Sequence, residues 1–347
     1  MQSLLKDQND ISAIDNIAYR QCNEGIVTTP IKIQNINDAV LAHYKGIHKR
    51  ISYLSEYGCP YSCKFCAWSE GEGSCQYLPA ERVYEDLKVL KECNEVEQVD
   101  MADSIFLFPP QRVNKMLELI EILNINWTAN ARTNVVYSPE FIERLEKSGC
   151  IWLYFGFESM DDDVLVYIDK KATSIQNRKV NSAFRNSNIS TISSFIIGFP
   201  GETPEKFMEG TYEYLINEHF GDYYLYVFEM ENENMPIWEE REKYGLELYP
   251  QKCTQSEHRG TNWKHFGMDS ETANQLRRKT MQDVRKCDSC KAVYRTWQSR
   301  YSWPLIPEFS RIQNVEVEIL LDRLGFLPVD YSDVSTQRKK RRKLSKS

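Results

Sequence analysis

Cys59, Cys63 and Cys66 stand in the run Gly58-Cys59-Pro60-Tyr61-Ser62-Cys63-Lys64-Phe65-Cys66. Three thiolates at that three-then-two spacing suffice for three irons of a cubane iron-sulfur cluster, whereas a closed cluster or a closed tetrahedral zinc site takes four protein ligands. One iron is left open. An open iron on a reducible cluster suits a ligand that chelates metal and accepts a single electron. A zinc knuckle is the bland alternative, but such sites pair one short Cys-x-x-Cys with a second, and none lies within ~20 residues of this run. Three unrelated core thiols are the other, and a Gly/Pro/Ser loop is an uncommon place for those.

Ligands of this kind must be held by a scaffold, and the pattern of the chain predicts one. Apolar, β-rich runs alternate with helical patterns, the layout of βα units on a parallel sheet. Strands are predicted at 50–55, 96–102, 127–131, 151–159, 191–199 and 223–229. Between them, 79–93, 111–123, 138–147, 161–168, 174–186 and 204–218 carry apolar residues at helical spacing. Several of these helices open on start signals such as Ser138-Pro139-Glu140 and Thr203-Pro204-Glu205. The expected fold is α/β, a partial (β/α)6 barrel over residues 49–232. A C-terminal helical extension over 233–330 would cap it, and 331–347 would be a disordered tail.

In barrels of this kind chemistry gathers where strands end and βα loops begin. The cysteine loop follows the first strand there. The second strand ends in Met101-Ala102-Asp103-Ser104, the third in Asn130-Ala131-Arg132, the fourth in Gly156-Phe157-Glu158-Ser159, and the fifth in Gly198-Phe199-Pro200-Gly201-Glu202-Thr203. A zwitterionic, adenine-bearing cofactor needs a carboxylate for its ammonium, a cation for its carboxylate, and small residues where adenosine lies against backbone.

The cysteine spacing, with aromatic Phe65 just before the last cysteine, resembles the signature of the radical S-adenosylmethionine (SAM) superfamily. Residues 156–159, then Val164-Leu165 and Lys170, then 197–203, are similar to the catalytic domain shared by the elongator acetyltransferase subunit, the tRNA methylthiotransferases and the nitrogenase-cofactor maturases. The resemblance implies a [4Fe-4S] cluster on Cys59, Cys63 and Cys66, with SAM on its open iron. Gly156 and Glu158 would then line the adenosine, Lys170 would approach the SAM carboxylate, and Gly198 with Pro200 would shape the fifth strand's end. Phe65 and Arg132 would join them in binding the cofactor. The superfamily's usual Gly-Gly-Glu after the second strand is absent. Asp103 takes its place, as in the cobalamin-linked branch, and would face the SAM ammonium.

Two further stretches resemble that branch, the class B radical SAM methyltransferases. Residues 4–30, within a segment 1–48, are similar to the connector that follows a cobalamin-binding domain. Asn262 to Ser270 is like a Trp-x-His-x-x-Met segment after the barrel. A cobalamin domain needs well over ~100 residues, more than precede Cys59, so cobalamin is expected only from a separate domain or chain. The resemblance implies reductive cleavage of SAM to a 5'-deoxyadenosyl radical, with an electron from a flavodoxin or ferredoxin. The radical would serve methylation or other C–H functionalisation of a small molecule or peptide. Three other outcomes stay open: cobalamin-independent oxidation or rearrangement, methylthiolation including that of tRNA, and a cluster-binding remnant without turnover.

Composition narrows the partners. No apolar run approaches ~18 residues and the N-terminus lacks a signal-peptide core, so a cytoplasmic protein is expected. Ten cysteines in such a chain point to metal or redox chemistry rather than disulfides. The formal net charge is −7, and the last ten residues alone carry +7, which leaves −14 on residues 1–337. So acidic a body argues against a nucleic-acid groove, and the basic tail reads as a solvated end. Cys287 and Cys290 form a Cys-x-x-Cys that needs help from Cys253, Cys75 or His258 to close a second metal site; a helix-end pair of ordinary thiols is the plainer reading. Trp263 and His265 are candidates for substrate contact or for packing. Tyr223, Tyr224, Tyr226, Met230 and Met235 are expected in the core and rim.

Overall fold

Six parallel strands form where the sequence predicts them, and a seventh joins from much later in the chain. The computed structural model describes residues 11–21, 25–30, 32, 35–42, 44, 46–67, 75–230, 233–249, 262–295 and 310–324. The basic tail, Cys253 and His258 lie outside them. The chain divides into two units, Met1–Ala42 and His43–Ser347.

In the first unit, Ala18–Gln21 and Gly25–Thr28 pair antiparallel, with Ala18 opposite Thr28. The Thr29 hydroxyl accepts the Ile17 N–H at 3.0 Å, and the Asn16 side-chain oxygen accepts the Lys32 N–H at 2.7 Å. These bonds fasten the open end of the hairpin. Within the segment expected as a connector, a small antiparallel element therefore forms.

In the second unit the main sheet is built from β1 (Arg50–Tyr53), β2 (Gln98–Met101), β3 (Asn126–Ala131), β4 (Cys150–Glu158), β5 (Ser190–Ile197), β6 (Phe220–Val227) and β7 (Lys291–Tyr294). Every neighbouring pair is parallel, and the spatial order follows the chain from β1 at one edge to β7 at the other. Each crossover carries at least one helix, which is the arrangement of a partial (β/α) barrel. β4, β5 and β6 are buried along nearly their whole length, β4 and β6 as largely apolar or aromatic runs and β5 with Ser190, Thr191, Ser193 and Ser194 buried among its apolar residues.

The helices form for the reasons their sequences suggest. In Pro110–Leu123, residues Val113, Met116, Leu117, Ile120 and Leu123 fall on one buried face. Ser138 and Thr203 cap the helices that start at Pro139 and Pro204, each accepting the backbone N–H three residues on. The helix predicted over 204–218 is interrupted. Pro204–Phe207 runs into a π-helical turn, Met208–Tyr212, before Glu213–Asn217 resumes. At that wide turn Gly210 presses on the backbone of Met160 and Asp161, and the Thr211 hydroxyl accepts the Met160 N–H at 3.0 Å. A regular apolar repeat does not reveal such a turn, because the docking partner lies elsewhere in the chain.

The region after residue 232, expected as a cap, also contributes to the sheet itself. β7 pairs with β6, and helix Arg311–Arg323 packs Val315 against Phe220 and Val293. Arg295, Asp222 and Glu318 are 4 %, 4 % and 0 % exposed. The Arg295 guanidinium lies 3.0 Å from Asp222 Oδ1 and also pairs with Glu318, so one buried cation ties β6, β7 and the last helix together. Arg311 adds a bond to Thr191 Oγ1 at 2.7 Å, next to β5's first residues. Removing one member of a buried ion cluster strands the others. Arg295→Ala is expected to lower unfolding free energy by about 3–5 kcal/mol. Urea unfolding followed by circular dichroism checks this, and a loss under about 1 kcal/mol would contradict the bridging role.

Candidate functional site

The site begins at the end of β1. Ser55 and Glu56, both essentially inaccessible, lead into a two-residue ladder in which Glu56 faces Tyr77 and Tyr57 faces Gln76. That ladder is the neck of the loop carrying Cys59, Cys63 and Cys66. Asp103, fully buried beyond the end of β2, holds the neck: its Oδ1 accepts the N–H groups of Ser55 at 2.6 Å and Glu56 at 3.0 Å, and its Oδ2 accepts the Ser55 hydroxyl. Arg112 clamps the same place, donating to Ser55 Oγ at 2.6 Å and to the Leu78 carbonyl at 2.8 Å. The resemblance implies that Asp103 faces a cofactor ammonium; in the structure both its oxygens accept hydrogen bonds from the neck, where they fix the strand's end.

Beyond the neck, Gly58 turns the chain at φ +88°. Cys63 is buried, and Cys59 and Cys66 are half-buried; none is in a disulfide. Burial pushes the Cys59 thiol above its ordinary range. The Cys66 N–H closes a turn on the Cys63 carbonyl at 3.0 Å. Lys64 anchors the loop from both sides of its peptide plane: its N–H donates to Ile168 O at 2.9 Å and its carbonyl accepts from Ile237 N at 2.8 Å. Among the described residues no three His, Cys, Asp or Glu side chains converge on a single-ion site. A cubane spreads its ligands over separate irons and does not require such convergence.

Arg132, at the end of β3, is 5 % exposed. Its guanidinium lies 3.7 Å from the centroid of the Tyr61 ring, and its Nη1 approaches Cys63 Sγ at 3.5 Å. Its Nη2 donates to the Lys170 carbonyl. The Lys170 ammonium in turn pairs with Glu158 Oε1 at 2.7 Å, with both side chains buried, and Ser194 donates to Glu158 Oε2 at 3.3 Å. Gly156 leaves room for this pair, since a Cβ there would sit 2.2 Å from Glu158 Oε1 and 2.7 Å from Lys170 Nζ and would make the two side chains shift. Glu158 itself has φ +62°, at the point where the β4–β5 register slips. Phe65 stacks at 5.0 Å on Phe199 and stands 5.8 Å from the Lys170 ammonium.

At the end of β5, Gly198 has φ +92°, and its N–H donates to Glu202 Oε2 at 2.6 Å. A Cβ on Gly198 would lie 2.3 Å from the Trp263 ring. Pro200 is buried in the turn that follows. Trp263 stacks on His265 at 5.2 Å, and its indole N–H donates to Phe228 O at 2.6 Å. Burial lowers the His265 pKa to about 4, and its Nδ1 accepts the Gly267 N–H, so it is a neutral ring in the packing against β5.

The structure thus links Cys63, Cys66, Phe65, Arg132, Lys170 and Glu158 through a chain of contacts, with Gly156 and Phe199 beside them and Cys59 in the same loop. Tyr61, Ser194 and Glu202 belong to the same surroundings and were not singled out from sequence. Tyr61 lies inside the cysteine loop, which was its one available signal. Cys287 and Cys290 are elsewhere, at the end of helix Ser270–Lys286. The Cys290 thiol donates to Leu215 O at 3.2 Å, and Cys287 Sγ contacts Ser289 Oγ at 3.3 Å. Tyr223, Tyr224, Met230 and Met235 are buried, while Tyr226 is partly exposed.

Residues 54–210 match the Radical SAM superfamily. Over 156 residues the chain is 31 % identical to an uncharacterized methyltransferase of Pyrococcus horikoshii, covering 44 % of this chain and 34 % of that one. It is 27 % identical over 275 residues to the 2-(S-pantetheinyl)-carbapenam-3-carboxylate methyltransferase of Streptantibioticus cattleyicolor, covering 72 % of this chain and 40 % of that one. The chain therefore spans roughly a third to two fifths of the length of these relatives. In fold it is similar to the radical SAM methyltransferase TsrM of Kitasatospora setae, solved with cobalamin and a [4Fe-4S] cluster bound. The TM-score is 0.59 at 14 % identity, over 73 % of this chain and 56 % of that one.

Two outcomes follow from the β5 end. Gly198→Ala adds strain at positive φ and collides with Trp263, so stability is expected to fall by about 1–3 kcal/mol, read as a lower thermal midpoint. An unchanged midpoint would count against this packing. Burial raises the Glu202 carboxyl from an ordinary 4.5 to about 8. Because the folded pKa is the higher one, its contribution is fully present below about pH 4.5 and is lost as pH rises through about 8. Glu202→Gln should therefore gain stability relative to the parent between pH 5 and 8.5, seen as a flatter midpoint-versus-pH curve. Parallel curves would refute the assignment.

Proposed function

We propose, from the radical SAM domain at residues 54–210, that this chain uses Cys59, Cys63 and Cys66 to hold a [4Fe-4S] cluster whose fourth iron binds SAM. The observation that carries the reading is the loop itself: three free thiols pinned to one strand-end rim, with a buried guanidinium 3.5 Å from the middle sulfur. The donor set fits the group, since three thiols and a nearby cation suit an anionic cluster better than a closed zinc site. When bound, the pair supplies one-electron cleavage of a sulfonium, yielding a carbon radical able to abstract hydrogen.

The chain's own residues hold and shield that chemistry. The Asp103 neck and the Lys64 backbone bonds anchor the loop that would carry the cluster. Lys170 would meet the SAM carboxylate by exchanging its bond to Glu158, whose carboxylate would then be freed for the adenosine side; the buried Lys170–Glu158 pair supports this reading. Gly156 leaves the space that exchange needs. Gly198 and Pro200 form the turn at the neighbouring strand end, and Phe65 with Phe199 gives the site an apolar wall.

The two relatives named above are methyltransferases, which supports methylation of a small molecule or peptide as the reaction. Cobalamin, if used, would come from a separate domain or chain, and a flavodoxin or ferredoxin would deliver the electron. Among the described residues no helix is long and apolar enough to cross a membrane.

Anaerobic reconstitution with iron, sulfide, reductant and SAM tests this. Formation of 5'-deoxyadenosine is expected, with S-adenosylhomocysteine appearing when cobalamin is added. Cys63→Ala should abolish the brown cluster absorbance and deoxyadenosine formation together. Undiminished cleavage by that variant, or a parent protein that binds zinc in place of iron and sulfide, would sink the reading.

A further inference from the structure

Arg132 is a buried cation that meets no carboxylate among the described residues. Lys170 and Glu158 neutralise each other at 2.7 Å, and Asp103 is committed to the neck of the cysteine loop. Among the described residues no ion pair involving Arg132 is present, and its Nε finds no acceptor. A desolvated guanidinium left in that state is strongly unfavourable, so a compensating anion is called for. The group its Nη1 faces is Cys63 Sγ, at 3.5 Å. Its orientation is not accidental. Tyr61, from the same loop, covers the guanidinium face at 3.7 Å, and Asn134 fixes the Tyr61 hydroxyl at 3.0 Å. The Tyr137 hydroxyl donates to the Arg132 carbonyl at 2.9 Å, and the second guanidinium nitrogen is held by the Lys170 carbonyl.

We propose that Arg132 is a positioning residue that serves as the counter-charge of the cluster through the Cys63 sulfur, and that it sets the cluster's reduction potential rather than binding the SAM carboxylate. The inference rests on the reading above. Three thiolates leave a [4Fe-4S] cluster with net negative charge, which grows by one unit on reduction. A fixed cation and an N–H donor at a ligand sulfur stabilise the reduced form more than the oxidised one. One electron arrives from the external donor, no bond forms or breaks, and Arg132 keeps its protons throughout. The division of labour follows from geometry: Nη1 faces sulfur, while the Lys170 ammonium stands on the other side of the Lys170 backbone contact, beside Glu158 and Phe65.

The test uses the full chain, reconstituted anaerobically, as the parent, Arg132→Lys and Arg132→Met. Iron and sulfide content is measured first. A redox titration followed by electron paramagnetic resonance is then run without SAM, and SAM affinity is measured separately by equilibrium dialysis. In Arg132→Met the ratio of reduced to oxidised cluster at a fixed potential should fall about tenfold, or ~59 mV for a one-electron couple. Arg132→Lys keeps the charge but loses the flat fork over Tyr61, so it should give a smaller shift in the same direction. SAM affinity should change less than threefold in both. If Arg132→Met retains no cluster while Arg132→Lys does, the lysine variant carries the measurement. An unchanged potential in the loaded variants, or a tenfold loss of SAM affinity with an unchanged potential, overturns the inference while leaving the cluster assignment standing. A parent chain that holds no iron and sulfide overturns both.

Discussion

The carboxylate of Asp103 decides where β1 ends and where the cysteine loop begins. It accepts two consecutive backbone N–H groups and a hydroxyl from Ser55 and Glu56, all shielded from water. Backbone donors at a strand's end would otherwise be satisfied by solvent or left unpaired, and either choice would let the loop swing. Fixing those donors gives the three sulfurs a defined origin. Burial raises the Asp103 pKa, while the Ser55 donors oppose that rise, so the same bonds that hold the neck also favour the charged carboxylate.

From that origin the site is assembled by convergence. β1 supplies the thiols, β3 the guanidinium, β4 the glutamate and its glycine, and β5 the glycine turn. Each group is placed by a different strand, and the parallel sheet makes all of those strands end on one side. The contacts between them are mostly backbone-anchored: Arg132 on Lys170 O, Lys64 on Ile168 O, and Gly198 N–H on Glu202. Such contacts specify position without depending on long flexible side chains at both ends. They suit a site in which charged groups are packed closely and water is scarce.

Much of this was legible in the residues. Ligand chemistry restricts cysteine spacing so tightly that the loop identified itself, and the alternation of β-rich and helical stretches marked the βα units. What escaped has physical causes. β7 is only Lys291-Ala292-Val293-Tyr294, too short to show a period, and it exists because β6 offers an edge. The π turn at Met208–Tyr212 depends on the backbone at Met160 and Asp161, which a local repeat does not encode. Arg311, Glu318 and Asp322 look like a solvated helix face, yet they are buried, because the partners that neutralise Glu318 and Asp322, Arg295 and Arg285, come from outside the helix. Asp103 was legible as a strand-end residue, but its bonds to Ser55 and Glu56 were not, since sequence gives a side chain's address and not the direction it points.

The distance along the chain between β6 and β7 bears on how the protein is made. Val227 leaves the ribosome some sixty residues before Lys291, which at about 5–20 residues per second is an interval of several seconds. Throughout that time the outer edge of Phe220–Tyr223, which β7 pairs with, has no neighbour from its own sheet, and an uncovered edge invites pairing with other chains. The nascent polypeptide therefore passes through a window in which this edge is open to chaperones, and slower translation across residues 228–290 would widen it.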